Sequence, residues 1–542
     1  MEVIAPGATA EAPAVHVHER VGRPGRGWGF VDTSKVNSDV FLAALEAELG
    51  GGANSITVRK PAPGESLSEA DLDRLAAACD TVVLGFGDCG TSMSYAVRDA
   101  ANLHAVGVTP VVVCSDAFGP GAHRLSQLLG LQNLAVIELP HPLASRTSAQ
   151  ISDLAREAAP RIASGPREPR TLDDKPGTSV PPRLSLSDET KDAIEELHVL
   201  GWTDGLPVVP ASPAAVEEML EAVGLRWDQT MPGLPPAGAR ASADRWAANA
   251  VMAGCLPDHF QVVLAAMHAL LSPGSGLPAS QVATNTSTPL LVLNGPIRRA
   301  LQSTGGYNAL GPGSRATASI GRAVRLILQN IGGERSGTTD LATHGQPGKF
   351  TYCFAENEEE SPWLPWHVSR GFDANVSTVT VVMASAPQNI FAYGCNTSAD
   401  LIDHLVDAMT ALGNNNILFD TGPILVLGPE HAHLLARSGL GREELQQVLF
   451  ERARIDLDRL PAPTRDRLRT RRRRWFEIAG DDGHIGMADR IEDIHVLVSG
   501  GPGIHSQFIS TSFSAHPITR VIVPRIAPEG RDDPVDVWIQ TS

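Results

Sequence analysis

The feature that most constrains this chain is an alternation. Between residues 28 and 140, short apolar runs ending in polar residues take turns with amphipathic stretches of helical period. The runs are WGFVD (28–32), SITVRK (55–60), TVVLGFG (81–87), PVVVCSD (110–116) and LAVIELP (134–140). Between them lie SDVFLAALEAEL, LSEADLDRLAAAC, a stretch from Thr91 to Ala105, and one more helix. In the first of these, Phe41, Leu42, Leu45 and Leu49 share a face, and Asn37 stands where an N-cap would. Apolar strands separated by crossover helices build a parallel sheet covered on both faces. The alternation predicts an α/β domain over residues 26–163, doubly wound and flavodoxin-like.

Residues 1–25 lack periodicity and read as a loose tail. The segment SGPREPRTLDDKPGTSVPPRLS (164–185), rich in Pro, Gly and charge, reads as a linker. Residues 186–542 then form a larger α/β or α+β region. It opens with a helix, SDETKDAIEELHVLG, capped by Ser187. Its middle holds LLVLNGP (290–296) and FTYCFAENEE (350–359). Strands and helices alternate again from residue 376, which suggests two subdomains with a boundary near 375. The arginine run RLRTRRRRW (467–475) reads as a solvated face.

Composition narrows the class. A chain of 542 residues, 42% hydrophobic and 19% charged, is globular and too long for one core. Its net charge of −17 argues against nucleic acid as a partner. No run reaches the ~18 apolar residues that span a bilayer, and the first 20 residues lack a signal-peptide pattern. The six cysteines, Cys79, Cys89, Cys114, Cys255, Cys353 and Cys395, are scattered with no C-x-x-C pair. That spacing is wrong for a disulfide framework or a zinc knuckle, and a cytoplasmic, thiol-reducing setting is expected. No motif requires a cofactor; metal content stays open.

Ligands of open parallel sheets bind beyond the carboxyl ends of the strands. Those ends lead to Lys35 and Asn37, to Asp88, Cys89, Thr91 and Ser92, to Ser115 and Asp116, and to His141. In GFGDCGTS, the glycines allow tight turning and close approach of a substrate. Cys89 then opens a helix, where free N–H groups and the helix dipole favour a thiolate. Most free cysteines are buried and structural, but glycines and polar residues are the wrong flanks for a core. An ionised Asp88 would oppose the thiolate; it either binds a substrate ammonium or points away.

DTSKVNSDVFLAALE, VRKP, GFGDCGTSMSYAVRDA, GVTPVVVCSDAF and LPHPL together resemble the UGSC family of (seleno)proteins, over residues 20–165. The same segment is similar to the selenocysteine-bearing subunit of glycine reductase component B, with its Sec-Gly-Thr-Cys motif and later Pro-His-Pro. Here Cys89-Gly90-Thr91-Ser92 and Pro140-His141-Pro142 occupy those places. Cys89 replaces selenocysteine, and Ser92 replaces the second cysteine, so no dithiol cycle can run inside the motif. Cys114 is the alternative resolving thiol. The resemblance implies attack by Cys89 on a substrate carbon or sulfur, followed by reductive or eliminative resolution, with His141 as general acid or base.

The larger region resembles a bacterial family found as a partner of UGSC-type proteins. Its Gly-rich stretch GGYNALGPGSRATASIGRA matches no P-loop or dinucleotide fingerprint. A second candidate site comprises Cys353, Glu356 and Glu358, with His367 as a further metal ligand, then Cys395 as a nucleophile, and Glu430, His431 and His505 at neighbouring strand ends. The expected function is a cysteine-dependent enzyme, an oxidoreductase or a carbon–sulfur lyase or transferase of small-molecule, sulfur or natural-product metabolism. Its partners would be a small-molecule substrate and a thiol reductant, with a homo-oligomer left open. A thiol-disulfide or peroxide reductase and a non-enzymatic sulfur carrier or scaffold are the alternatives.

Overall fold

The structure, a computed structural model, describes residues 1–8, 27–50, 55–131, 133–164, 183–303, 305–419, 421–514 and 516–523. Its first element corrects the reading of a loose tail. Val3, Ile4 and Ala5 are almost wholly buried, and β1 (Glu2–Ile4) pairs antiparallel with residues 183–185. The Arg245 guanidinium donates to the Ala5 carbonyl and the Asn249 amide to that of Pro6. An apolar triplet beside an unpaired strand finds both cover and partners there. Residues 9–25 of the expected tail and 165–182 of the expected linker lie outside the described residues.

The alternating segment folds as its pattern predicts. Strands β2 (Gly27–Asp32), β3 (Ile56–Arg59), β4 (Cys79–Gly87), β5 (Thr109–Ser115) and β6 (Ala135–Leu139) form a five-stranded parallel sheet in the order β3-β2-β4-β5-β6. This is the flavodoxin-like order, whose switch point lies between β2 and β4. Successive strand residues face opposite cores. Phe30 and Val83 pack with α1 (Ser38–Glu48) and, late in the domain, the helix Ser148–Ala163. Val31, Leu84 and Val112 pack with α2 (Glu69–Ala78), α3 (Gly90–Ala105) and α4 (Gly119–Leu128). Asn37 does not cap α1: its backbone is left-handed (φ 68°), and its amide instead donates to the Leu143 and Arg146 carbonyls.

Beyond β7 (Arg183–Ser185), the partner of β1, the first helix spans Thr190–Val199 with Glu189, not Ser187, at its N-cap. The large region is built on one seven-stranded sheet. Its strands are β8 (Thr288–Asn294), β9 (Cys353–Ala355), β10 (Thr378–Phe391), β11 (Ile424–Leu427), and, past the ribbon β12 (Arg454–Asp456) and β13 (His484–Gly486), β14 (His495–Val498), β15 (His505–Thr511) and β16 (Ile518–Val521). The order is β14-β11-β15-β10-β8-β9, with β16 beside β10. A register shift between Ala384 and Pro387 bends the long β10. The sheet curls until the carboxyl ends of its edge strands meet: the Asn357 N–H donates to Val498 O (2.8 Å) and the Ser499 hydroxyl to Ala355 O (2.9 Å). Val292, Phe354, Val426 and Leu497 fill the inside.

β10 pairs with β8 from Thr378↔Asn294 to Ala384↔Thr288, so the boundary expected near 375 falls within one sheet. No single described helix is long and apolar enough to cross a membrane. The arginine run is not wholly solvated either. Arg472 is buried, with its guanidinium on Asp489 and the carbonyls of Asn416, Ile417 and Gly486.

Candidate functional site

The carboxyl edge of the parallel sheet gathers the expected residues, but sorts them into two groups. Cys89 is the N-cap of α3, and its sulfur takes the place of a capping oxygen. It accepts the Ser92 N–H (3.4 Å) and lies 3.2 Å from the Ser92 hydroxyl, which itself accepts the N–H groups of Asp88 (3.1 Å) and Cys89 (3.2 Å). The sulfur thus sits as an acceptor at a helix N-terminus, where negative charge is favoured. The serine that replaces the motif's second cysteine serves as a bracket for the first.

The flanking glycines act by close approach, not by unusual dihedral angles. A Cβ on Gly87 would lie 2.6 Å from Met93 Cα, and one on Gly90 would lie 1.8 Å from the Val282 carbonyl oxygen. Gly90 therefore admits the large region's backbone where a substrate was expected. The domains also meet through Arg98, which donates to the Pro236 carbonyl (3.3 Å).

Asp88 points away from the sulfur. Its carboxylate accepts the N–H groups of Leu143 (3.1 Å) and Ala144 (2.9 Å) and lies 3.1 Å from His141 Nδ1. The same nitrogen is 3.0 Å from the Ser115 hydroxyl, and the His141 N–H donates to Asp116 (3.1 Å). Ser115 and Asp116, expected to touch substrate, hold His141 instead. Among the described residues no hydrogen bond joins His141 to Cys89.

Cys89, Thr91, Lys35 and Asn37 line a cleft of about 1940 Å³ between the N-terminal domain and the large region. The far wall comes from segments whose role sequence reasoning missed: Leu270–Asn285 in part, Leu418, Phe419, Phe513, and the arginine-run residues Arg467 and Arg471. Half-exposed in this cleft, Cys89 contrasts with Cys114, which is buried among apolar side chains. Burial, reinforced by the Glu138, Asp116 and Asp88 charges, pushes the Cys114 thiol up, so this sulfur does not suit the resolving role.

The second candidate site does not assemble as expected. Glu356 and Glu358 do converge, both accepting from the Asn294 amide (2.5 and 3.0 Å). Cys353, however, faces the opposite core, and burial raises its thiol. Glu358 is ion-paired with Arg298 (2.7 Å). His367 Nδ1 is 3.8 Å from Glu358, yet among the described residues no group of three or more His, Cys, Asp or Glu could hold a metal ion. Glu356 is fully buried; Oε2 accepts the Trp366 N–H (2.6 Å), whereas Oε1 has no hydrogen bond among the described residues and lies 3.7 Å from Arg442. Burial pushes its carboxyl up to about 7.

Cys395 lies 3.4 Å from His404 Nδ1, but that nitrogen is also 2.9 Å from the Asp400 carbonyl. Residual burial, then the Asp400 and Asp403 charges, raise the Cys395 thiol. His431 is buried against the Ser506 hydroxyl (2.7 Å) and held below the usual imidazole range by burial. His505 stacks on Phe391 (4.9 Å between centroids). Glu430, at the start of the same helix, is exposed. These three sit at neighbouring strand ends without a hydrogen bond between them among the described residues.

Fold and site together define a flavodoxin-like domain carrying a helix-capping cysteine at the switch point. Residues 2–165 match the model of the UGSC family. No curated protein and no solved structure matches the chain.

Proposed function

We propose that the protein is a cysteine-dependent enzyme of small-molecule metabolism, with Cys89 as covalent nucleophile. One observation carries this reading: the Cys89 sulfur caps α3 and is half-exposed in a large cleft, while the other domain thiols are buried. In the first step Sγ bonds to a substrate carbon as its bond to a heteroatom breaks; the heteroatom leaves with the electron pair and takes a proton. In the eliminative variant a base then takes a proton from the neighbouring carbon, a C=C bond forms, and the C–S bond breaks with its electron pair on Sγ, which returns the thiolate. In the reductive variant, an external thiol attacks Sγ and expels the carbon fragment, which takes a proton. A second thiol releases Cys89, so that two thiols become one disulfide. His141, fixed by Asp88 and Ser115, supports the reading as a positioning residue for the turn beside Cys89. A thiol-reducing compartment such as the cytoplasm suits six unpaired cysteines.

The test is mass spectrometry of the Cys89 peptide from the full chain, as isolated and after exposure to alkyl halides. An organic thioether on Cys89 is expected in the wild-type chain and should be lost in Cys89→Ser. A persulfide on Cys89 would instead make it a sulfur carrier, and a sulfenic acid a peroxide-reducing thiol.

A further inference from the structure

The turn that carries Cys89 holds one hydroxyl with little freedom left. Ser92 is fully buried, so no solvent competes for its Oγ. A hydroxyl oxygen has two lone pairs and one proton. Both lone pairs are taken, by the N–H groups of Asp88 (3.1 Å) and Cys89 (3.2 Å). The oxygen can accept nothing more, and a Cys89 S–H finds no place on it. What Ser92 still has to give is its own proton.

Two acceptors lie within reach of that proton. One is the Cys89 carbonyl (3.2 Å), which already takes the Met93 N–H (3.0 Å). The other is the Cys89 sulfur, also at 3.2 Å. A neutral thiol accepts weakly, so the carbonyl keeps the proton while the sulfur is protonated. A thiolate is an anion, and a hydrogen bond to an ionised acceptor is roughly twice as strong as a neutral one. Charge on the sulfur therefore draws the proton over, with no heavy atom displaced.

The surroundings hold the oxygen still. The Asp88 carboxylate is fixed by the Leu143 and Ala144 N–H groups and by His141, which keeps the Asp88 N–H on Ser92 Oγ. Gly87 lets Met93, the next residue after Ser92, close against the turn.

We infer that Ser92 is a catalytic residue of the Cys89 site: its O–H, beside its N–H (3.4 Å), stabilises the thiolate and not the thiol. The inference rests on the reading of Cys89 as nucleophile and adds the group that keeps this nucleophile charged.

The test is alkylation of Cys89 by iodoacetamide at two pH values, on the full chain, with rates from peptide mass spectrometry. At about pH 7 the rate follows the thiolate fraction. In brief pulses at about pH 10.5, above the ordinary thiol value of ~8.5, it follows nucleophilicity alone. Ser92→Ala should react roughly tenfold more slowly than wild type at the lower pH. At the higher pH it should match or overtake wild type, because a less stabilised anion is the better nucleophile. Ser92→Thr keeps the hydroxyl and should follow wild type at both. Ser92→Cys keeps the shape with only a weak donor and gives the same comparison, read by tandem mass spectrometry, if the alanine chain does not fold. Loss of the hydroxyl also frees two backbone N–H groups, but a loosened turn would move both rates together. Equal changes at the two pH values, or none, overturn the role of Ser92 and leave the nucleophile intact. A wild-type Cys89 that resists the reagent until the chain is unfolded overturns both.

Discussion

The two large sheets, the five-stranded and the seven-stranded, both bring acidic and polar side chains to the carboxyl ends of parallel strands, with opposite outcomes. In the N-terminal domain, Asp88 is occupied by two backbone N–H groups and His141, and the neighbouring sulfur is left facing a cleft. In the curled sheet, Asn294, Glu356 and Glu358 are closed in by Arg298, Arg442 and the docking of one edge strand against the other. The residue types resemble each other; access to solvent separates them. An open sheet leaves a crevice at its switch point, whereas a sheet curled onto itself seals the equivalent ends.

The contrast can be broken most forcefully at Arg298. Its guanidinium binds Glu358 and Glu359 and, through hydrogen bonding, holds the Glu359 carboxyl down at about 2. Arg298→Met strands these acids and should cost about 3–5 kcal/mol in chemical denaturation, with no change in the alkylation rate of Cys89. A loss of alkylation without a loss of stability would make the sealed cluster part of the reactive site.

Glu356 sharpens the comparison through pH. Its folded-state pKa, about 7, lies above the ordinary 4.5 because burial disfavours the anion. Between those values the native state binds more protons than the unfolded chain, so stability should fall as pH rises through that window, by about 3 kcal/mol in total. Thermal melts from pH 4.5 to 7.5 should show this slope in the wild type and lack it in Glu356→Gln. Cys395→Ser should have the smallest effect, with stability within about 0.5 kcal/mol of wild type and Cys89 alkylation unchanged. A slower reaction at Cys89 would tie the surface thiol to the cleft.

Much of the N-terminal site was legible because its physics is local and periodic. Apolar runs fixed the parallel strands, strand ends fixed the edge, and glycine-flanked Cys89 fell at a helix start. Parity alone could have separated Cys353 from Glu356, since an odd number of steps along a strand reverses the face. Arg467 and Arg471 were not legible as cleft residues, because nothing within their helix encodes which distant domain it meets. Run composition pointed to solvent, and the buried Asp489 that holds Arg472 is 17 positions away. The strand at residues 2–4 escaped notice for a similar reason: three residues carry no period, and their partner lies beyond the whole N-terminal domain.

That short ribbon alters how the order of segments along the chain should be understood. Ile4 and Arg183 are directly paired, so the chain departs for the N-terminal α/β domain and comes back at the same spot. The arrangement is a nested insertion and not two beads on a string. A guest with coincident entry and exit is anchored by both its ends, and a single backbone cut within 165–182 would leave it attached through the opening strand. Splitting the polypeptide at its apparent junction would yield halves that each lack something: one without its seat, the other without the strand that completes its core.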